Sequence, residues 1–82
     1  MRLTLITRAY CHLCDEMRDA LAARASALDF AVDERDVDAD AALEARWGDK
    51  VPVLLDGERE LCRYRLDPAA LEVVARAAER GS

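Results

Sequence analysis

Apolar positions along the chain change their spacing from one segment to the next. Residues 2–7, Arg-Leu-Thr-Leu-Ile-Thr, are a short run of branched and β-favouring types that reads as a buried strand. From Cys11 to Leu28 the spacing becomes helical: Leu13, Met17, Ala20, Leu21 and Leu28 recur with charges between them. Asp15 and Glu16 fall in its first turn, where the helix dipole favours acids. Phe30 to Asp36 fits a second strand, with Phe30 and Val32 alternating against Ala31 and Asp33. Asp38 or Asp40 can cap a short helix whose apolar side is Leu43 and Trp47, and Gly48 is placed to end it.

Val51-Pro52-Val53-Leu54-Leu55 reads as a third strand, with proline near its start, where it is tolerated. Asp56-Gly57 signals a hairpin into a fourth strand, from about Glu58 to Tyr64. Asp67-Pro68 then supplies an N-cap and a first-turn proline. Leu71, Val74, Ala75 and Ala78 give the last helix its buried stripe, and Gly81 follows it. The predicted order is β-α-β-α-β-β-α. A βαβ half requires a parallel pair, and a hairpin sealed by a helix completes one mixed four-stranded sheet with helices on both faces.

Length fits one domain spanning residues 1–82. Hydrophobic content of 52% suffices for a core, and the mixed charge with recurring branched aliphatics argues against disorder. The formal net charge is −5 and no basic stretch is long enough to track a phosphate backbone, which sets nucleic acid aside. No segment reaches membrane-spanning length, and the apolar run within the first ten residues is too short for a secretory leader. The acidic residues Asp33, Glu34, Asp36, Asp38 and Asp40 lack the glycine and closing glutamate of a calcium loop and read as a solvated strand end and helix start. Three cysteines, an odd number, argue against a secreted disulfide scaffold, and a reducing cytoplasm is expected.

The chemistry concentrates at Cys11-His12-Leu13-Cys14, between the first strand and the first helix. Residues three apart on a helix have Cβ atoms roughly 5–6 Å apart, near what a disulfide requires. Unpaired N–H groups at a helix N-terminus stabilise a thiolate, and the first cysteine gains more than the second. Cys14 shares its stripe with Met17, Leu21 and Leu28 and is expected to be the more sheltered sulfur, with Cys11 facing solvent. An exposed thiolate attacks, and a sheltered neighbour resolves. Two other readings of the pair stand beside this one: half of a structural zinc site completed by Cys62 and His12, and inert core cysteines.

These residues, together with Val51-Pro52 at the third strand, the Asp56-Gly57 hairpin and the run Cys62-Arg63-Tyr64-Arg65-Leu66-Asp67, give a chain that resembles the glutaredoxin family, and more closely its bacterial glutaredoxin-like members. The resemblance covers nearly the whole chain. It implies a thioredoxin-like fold in which Pro52 is cis beside the active sulfurs and the backbone of Val51 pairs with bound peptide or glutathione. It gives Arg8 the role of lowering the thiol pKa and meeting a glutathione carboxylate. His12 stands where many members have proline, either supporting the thiolate or pointing into water.

Members of that family carry a Gly-Gly pair after the fourth strand, which lets the glutathione backbone approach, and then an aspartate. Here Cys62-Arg63 stands about where the glycines would be, and its side chains narrow that approach. Asp67 stands where the aspartate would, but with Pro68 behind it reads first as an ordinary N-cap. Cys62 is expected to end the fourth strand beside Pro52, as a third redox thiol, a pocket contact or a small core residue. The implied activity is reduction of disulfides through a mixed disulfide at Cys11 that Cys14 resolves. No tightly bound cofactor is expected. Glutathione is a candidate co-substrate; the partners are a disulfide-containing protein or glutathione mixed disulfide and a thiol reductant or reductase, and a monomer is expected. The alternatives are an iron–sulfur or other metal carrier, and a non-catalytic module using Trp47 or Tyr64 as contacts, although both aromatics are expected to pack on the sheet.

Overall fold

A computed structural model describes residues 1–80. Strand β1 (Arg2–Thr7) leads to helix α1 (His12–Leu28), strand β2 (Ala31–Asp36), a single 3-10 turn (Val37–Ala39), helix α2 (Ala41–Trp47), strands β3 (Val53–Asp56) and β4 (Arg59–Arg63), and helix α3 (Pro68–Arg80). The expected order is therefore observed, with the 3-10 turn added before α2. Gly81, expected to follow the last helix, lies outside the described residues.

The sheet has the order β2-β1-β3-β4. β1 pairs parallel with β2 and antiparallel with β3, and β3 pairs antiparallel with β4. β1 is central because its side chains are apolar on both faces. Leu3 and Leu5 point to one side, where they pack with Met17 and Leu21 of α1, Phe30, Leu54 and Leu71 of α3. Ile6 points to the other and packs with Val37, Trp47 of α2, Val53 and Leu55. Alternation at period two thus sends one strand into two cores. The edge strand β2 differs: Glu34, Arg35 and Asp36 are exposed along it.

Side chains close the helix ends. Asp40 accepts from the Ala42 and Leu43 N–H groups at 2.8 and 3.4 Å and caps α2, while Asp36 caps the 3-10 turn through the Asp38 N–H at 2.9 Å. Gly48 ends α2 with right-handed dihedrals, its N–H donating to the Glu44 carbonyl at 2.8 Å. Its lack of a side chain serves space, since a Cβ there would meet that carbonyl oxygen at 2.6 Å. Asp67 accepts from the Ala69 and Ala70 N–H groups at 3.1 and 3.3 Å, so it is the N-cap of α3 with Pro68 behind it. In α3, Leu71, Val74 and Ala75 are buried, whereas Ala78, expected in the same stripe, is exposed.

The hairpin turn is Gly57-Glu58, one residue later than the Asp56-Gly57 signal suggests, because Asp56 still pairs with Arg59. Gly57 has φ +63° with open space around its Cβ position, so it is the backbone conformation that selects glycine. Further along, the register slips. Leu55 pairs with Glu60 but Leu54 pairs with Cys62, leaving Leu61 as an extra residue in β4.

Candidate functional site

The register gathers the predicted site residues at one end of the sheet. β1 ends at Thr7, antiparallel β3 begins at Val53 opposite Ile6, and β4 ends at Arg63 opposite Val53. Residues 8–11, 51–52 and Tyr64 therefore leave the sheet together.

Cys11 is the N-cap of α1. Its backbone is extended, and its Sγ accepts the Cys14 N–H at 3.1 Å, the place a serine or aspartate oxygen takes at an ordinary cap. The cap places an N–H donor on the first sulfur, the arrangement that favours a thiolate over a thiol. Cys14 follows within the first turn and is fully buried, whereas Cys11 is half-exposed. The two sulfurs are bonded to each other, with Cα atoms 5.2 Å apart. The burial difference that the helical phase implied is present. His12 is the first residue of α1 and is exposed.

A network holds this helix start against the sheet. Arg18, one turn along α1, donates to both oxygens of Glu34 on β2 at 2.6 and 2.7 Å and to Asp15 at 2.7 Å. Thr7, the buried last residue of β1, donates its hydroxyl to Glu34 at 3.1 Å. The Arg18 bonds hold the Glu34 carboxyl below the usual glutamate range and raise the Arg18 guanidinium above its own, with the Thr7 hydroxyl adding to the effect on Glu34 and burial opposing it. Sequence reasoning missed this network; the Asp15–Arg18 spacing was its only local trace.

Arg8 is turned toward the acidic segment. Its Nε and one terminal nitrogen donate to Asp38 at 3.0 Å, the other donates to the Gly48 carbonyl at 2.9 Å, and Glu44 lies 3.6 Å away. The acidic run is thereby accounted for residue by residue. Asp33 pairs with Arg2, Glu34 with Arg18, Asp38 with Arg8, and Asp36 and Asp40 are caps. Among the described residues no three potential metal-ligating side chains come together, and no helix is long and apolar enough to cross a membrane.

The Val51–Pro52 peptide bond is cis, and buried Pro52 sits just ahead of β3 with Val51 outside the paired register. The Pro52 carbonyl accepts the Tyr64 N–H at 2.8 Å. Tyr64, and not Cys62, is therefore the residue beside the proline. The extra residue Leu61 is the reason: a regular ladder would have set Cys62 opposite Val53, and the bulge sets it opposite Leu54. Cys62 is half-buried and packs against the α1–α3 core. Burial pushes its thiol up, the Asp67 backbone hydrogen bond acts in the opposite sense, and the Asp67 and Glu60 charges push further up. Arg63 is exposed and donates to both oxygens of Glu60 at 2.6 and 2.8 Å.

Trp47 packs on the sheet as expected, with Arg46 stacked 5.0 Å from its ring centre. Tyr64 does not. Its φ of 67° turns the side chain off the end of β4, and its hydroxyl donates to the Asp49 carbonyl at 3.2 Å. Tyr10 also has left-handed backbone, φ 57°, and is fully exposed immediately before Cys11. No sequence signal marks either, since glycine and asparagine are the usual occupants of that conformation.

A mixed sheet of this order with a Cys-x-x-Cys pair capping its first helix defines the thioredoxin-like α/β class. Thioredoxin 1 from Thermosipho africanus TCF52B superimposes with a TM-score of 0.63 over 100% of both chains at 18% identity, a likeness of fold. Residues 2–74 match the family described as Glutaredoxin-like domain (DUF836), and the chain belongs to that family. The solution structure of protein Ne2328 from Nitrosomonas europaea is 31% identical, with a TM-score of 0.80 over 89% of this chain and 88% of that one. The X-ray structure of a protein from X. campestris is 42% identical, with a TM-score of 0.68 over 92% and 96%. No curated protein matches the chain.

Proposed function

We propose that the protein is a thiol–disulfide oxidoreductase that reduces disulfides through its Cys11/Cys14 dithiol. The observation that carries this reading is the cap: the half-exposed Cys11 sulfur accepts a helix N-terminal N–H while its bonded partner Cys14 is buried. In the forward direction the Cys11 thiolate attacks one sulfur of a substrate disulfide. A Cys11–substrate bond forms, and the other substrate sulfur leaves as a thiolate that takes up a proton from water. Cys14 then loses its proton and attacks the Cys11 sulfur. The Cys11–Cys14 disulfide forms and the second substrate thiolate departs, so two electrons have passed to the substrate.

The two sulfurs carry those electrons themselves, so the cycle needs no resident cofactor. A thiol reductant, either glutathione or a reductase, restores the dithiol by the same exchange run with a different partner. A monomer working in a reducing cytoplasm fits this cycle. Val51 is the backbone offered to the substrate, and Pro52 fixes where that backbone leaves the sheet.

The test uses a peptide disulfide with dithiothreitol as reductant. Cys11→Ser lowers turnover to the uncatalysed background, whereas Cys14→Ser accumulates a covalent adduct on Cys11, visible by intact mass. Equal turnover in the two variants, or no turnover in the native protein, overturns the proposal.

A further inference from the structure

Among the described residues three large hydrophobic side chains stand exposed: Tyr10, Tyr64 and Val73. Two of the three lie at the end of the sheet that carries the cysteine pair. Tyr10 adjoins Cys11 in the chain, and Tyr64 is hydrogen-bonded to Pro52. Both hold left-handed backbone, a conformation a Cβ disfavours and glycine adopts freely. The Tyr64 hydroxyl bond to Asp49 partly fixes its place. Tyr10 has no hydrogen bond or ring contact among the described residues. For Tyr10, neither packing nor local bonding accounts for an aromatic ring held there against backbone preference, and a contact made with substrate does.

The charges at the same end narrow the substrate class. Arg8 is bound to Asp38, Lys50 to Asp49 and Arg63 to Glu60. Arg65 shares with Tyr64 a cleft of about 220 Å³ between α1 and the start of α3, lined also by Glu16, Met17 and Arg24. A ligand bearing carboxylates thus finds three of the cations around the cysteine pair already neutralised, on a chain of net charge −5. Arg65 apart, aromatic surface is what remains open, and tyrosine is among the side chains that contribute most at protein contacts.

We infer that Tyr10 and Tyr64 select the substrate of the cysteine pair. That substrate is an extended segment of a protein disulfide with an apolar or aromatic side chain beside its half-cystine, in preference to glutathione disulfide. The inference rests on the thiol–disulfide reading above and adds the class of disulfide that Cys11 attacks.

The experiment measures how fast the fully reduced protein is oxidised, in single turnovers, by three disulfides: a synthetic peptide disulfide with phenylalanine next to each half-cystine, glutathione disulfide, and the small neutral hydroxyethyl disulfide. The native protein reacts fastest with the peptide. Tyr10→Gly and Tyr64→Gly relieve the backbone while removing the ring, and each lowers the peptide rate by about tenfold more than the hydroxyethyl disulfide rate. Tyr64→Phe keeps the ring and restores the peptide preference. Thermal melts confirm that the glycine variants fold. Glutathione disulfide reacting as fast as the peptide, or glycine variants that slow all three disulfides equally or none, overturns the inference while leaving thiol exchange intact. Failure of the native protein to react with any of the three overturns thiol exchange and this inference together.

Discussion

Cys11 and Cys62 carry the same thiol into opposite surroundings. Cys11 ends a loop at a helix start, half-exposed, with a backbone N–H aimed at its sulfur. Cys62 lies on a strand, packed against the larger core, between the carboxylates of Glu60 and Asp67. The first setting favours the charged sulfur through a directed dipole; the second disfavours it through lost solvation and nearby negative charge. The contrast shows that reactivity here follows from the backbone around each sulfur, since the side chains are identical.

Alkylation is the sharpest way to break that contrast. In the reduced protein at neutral pH, iodoacetamide is expected to modify Cys11 faster than Cys62 by at least about tenfold, followed by peptide mass mapping. Cys62 modification should quicken as pH rises, since its folded thiol titrates above the ordinary range. Equal rates at neutral pH would remove the distinction. A smaller effect is expected from Cys62→Val, which fills similar apolar space: a loss below about 1.5 kcal/mol in urea unfolding, with peptide-disulfide turnover retained. A large loss of turnover would return Cys62 to the redox chemistry.

The smallest effect concerns the frame that holds the Cys11 helix. The Glu34 carboxyl has a depressed folded pKa, so its contribution is present above its unfolded value and is lost as pH falls through the folded one. Glu34→Gln is therefore expected to cost about 1 kcal/mol or less at neutral pH, because the network is partly solvated. It should also flatten the acid side of the stability curve, measured by urea midpoints from neutral pH down through the carboxylate range. An unchanged acid slope would mean that Arg18 and Thr7 contribute nothing through this group.

Much of the architecture was legible in the chain because periodicity and punctuation agree. The short apolar run through Leu3, Leu5 and Ile6, the helical stripe through Met17 and Leu21, and the caps at Asp40 and Asp67 each belong to one segment and need no knowledge of distant partners. The cysteine pair was legible for the same reason, its spacing and its place before a helix being local. What escaped is nonlocal. Arg8 satisfies Asp38, thirty residues away in the chain, and Arg18 reaches across to Glu34. The bulge at Leu61 moves Cys62 from one face of the sheet to the other, and no pattern in Arg59-Glu60-Leu61-Cys62-Arg63 announces an inserted residue. The left-handed tyrosines escaped because they contradict propensity, which is also what makes them informative.

The outer edge of β2, with its exposed run of Glu34, Arg35 and Asp36, carries one further consequence. A strand from another molecule laid along that rim would bring charged side chains against its own and displace the arginines that neutralise Asp33 and Glu34. The rim thereby discourages the sheet from growing at β2 by addition of foreign strands, and a protein whose proposed task is to meet other chains in extended form keeps that meeting away from this edge.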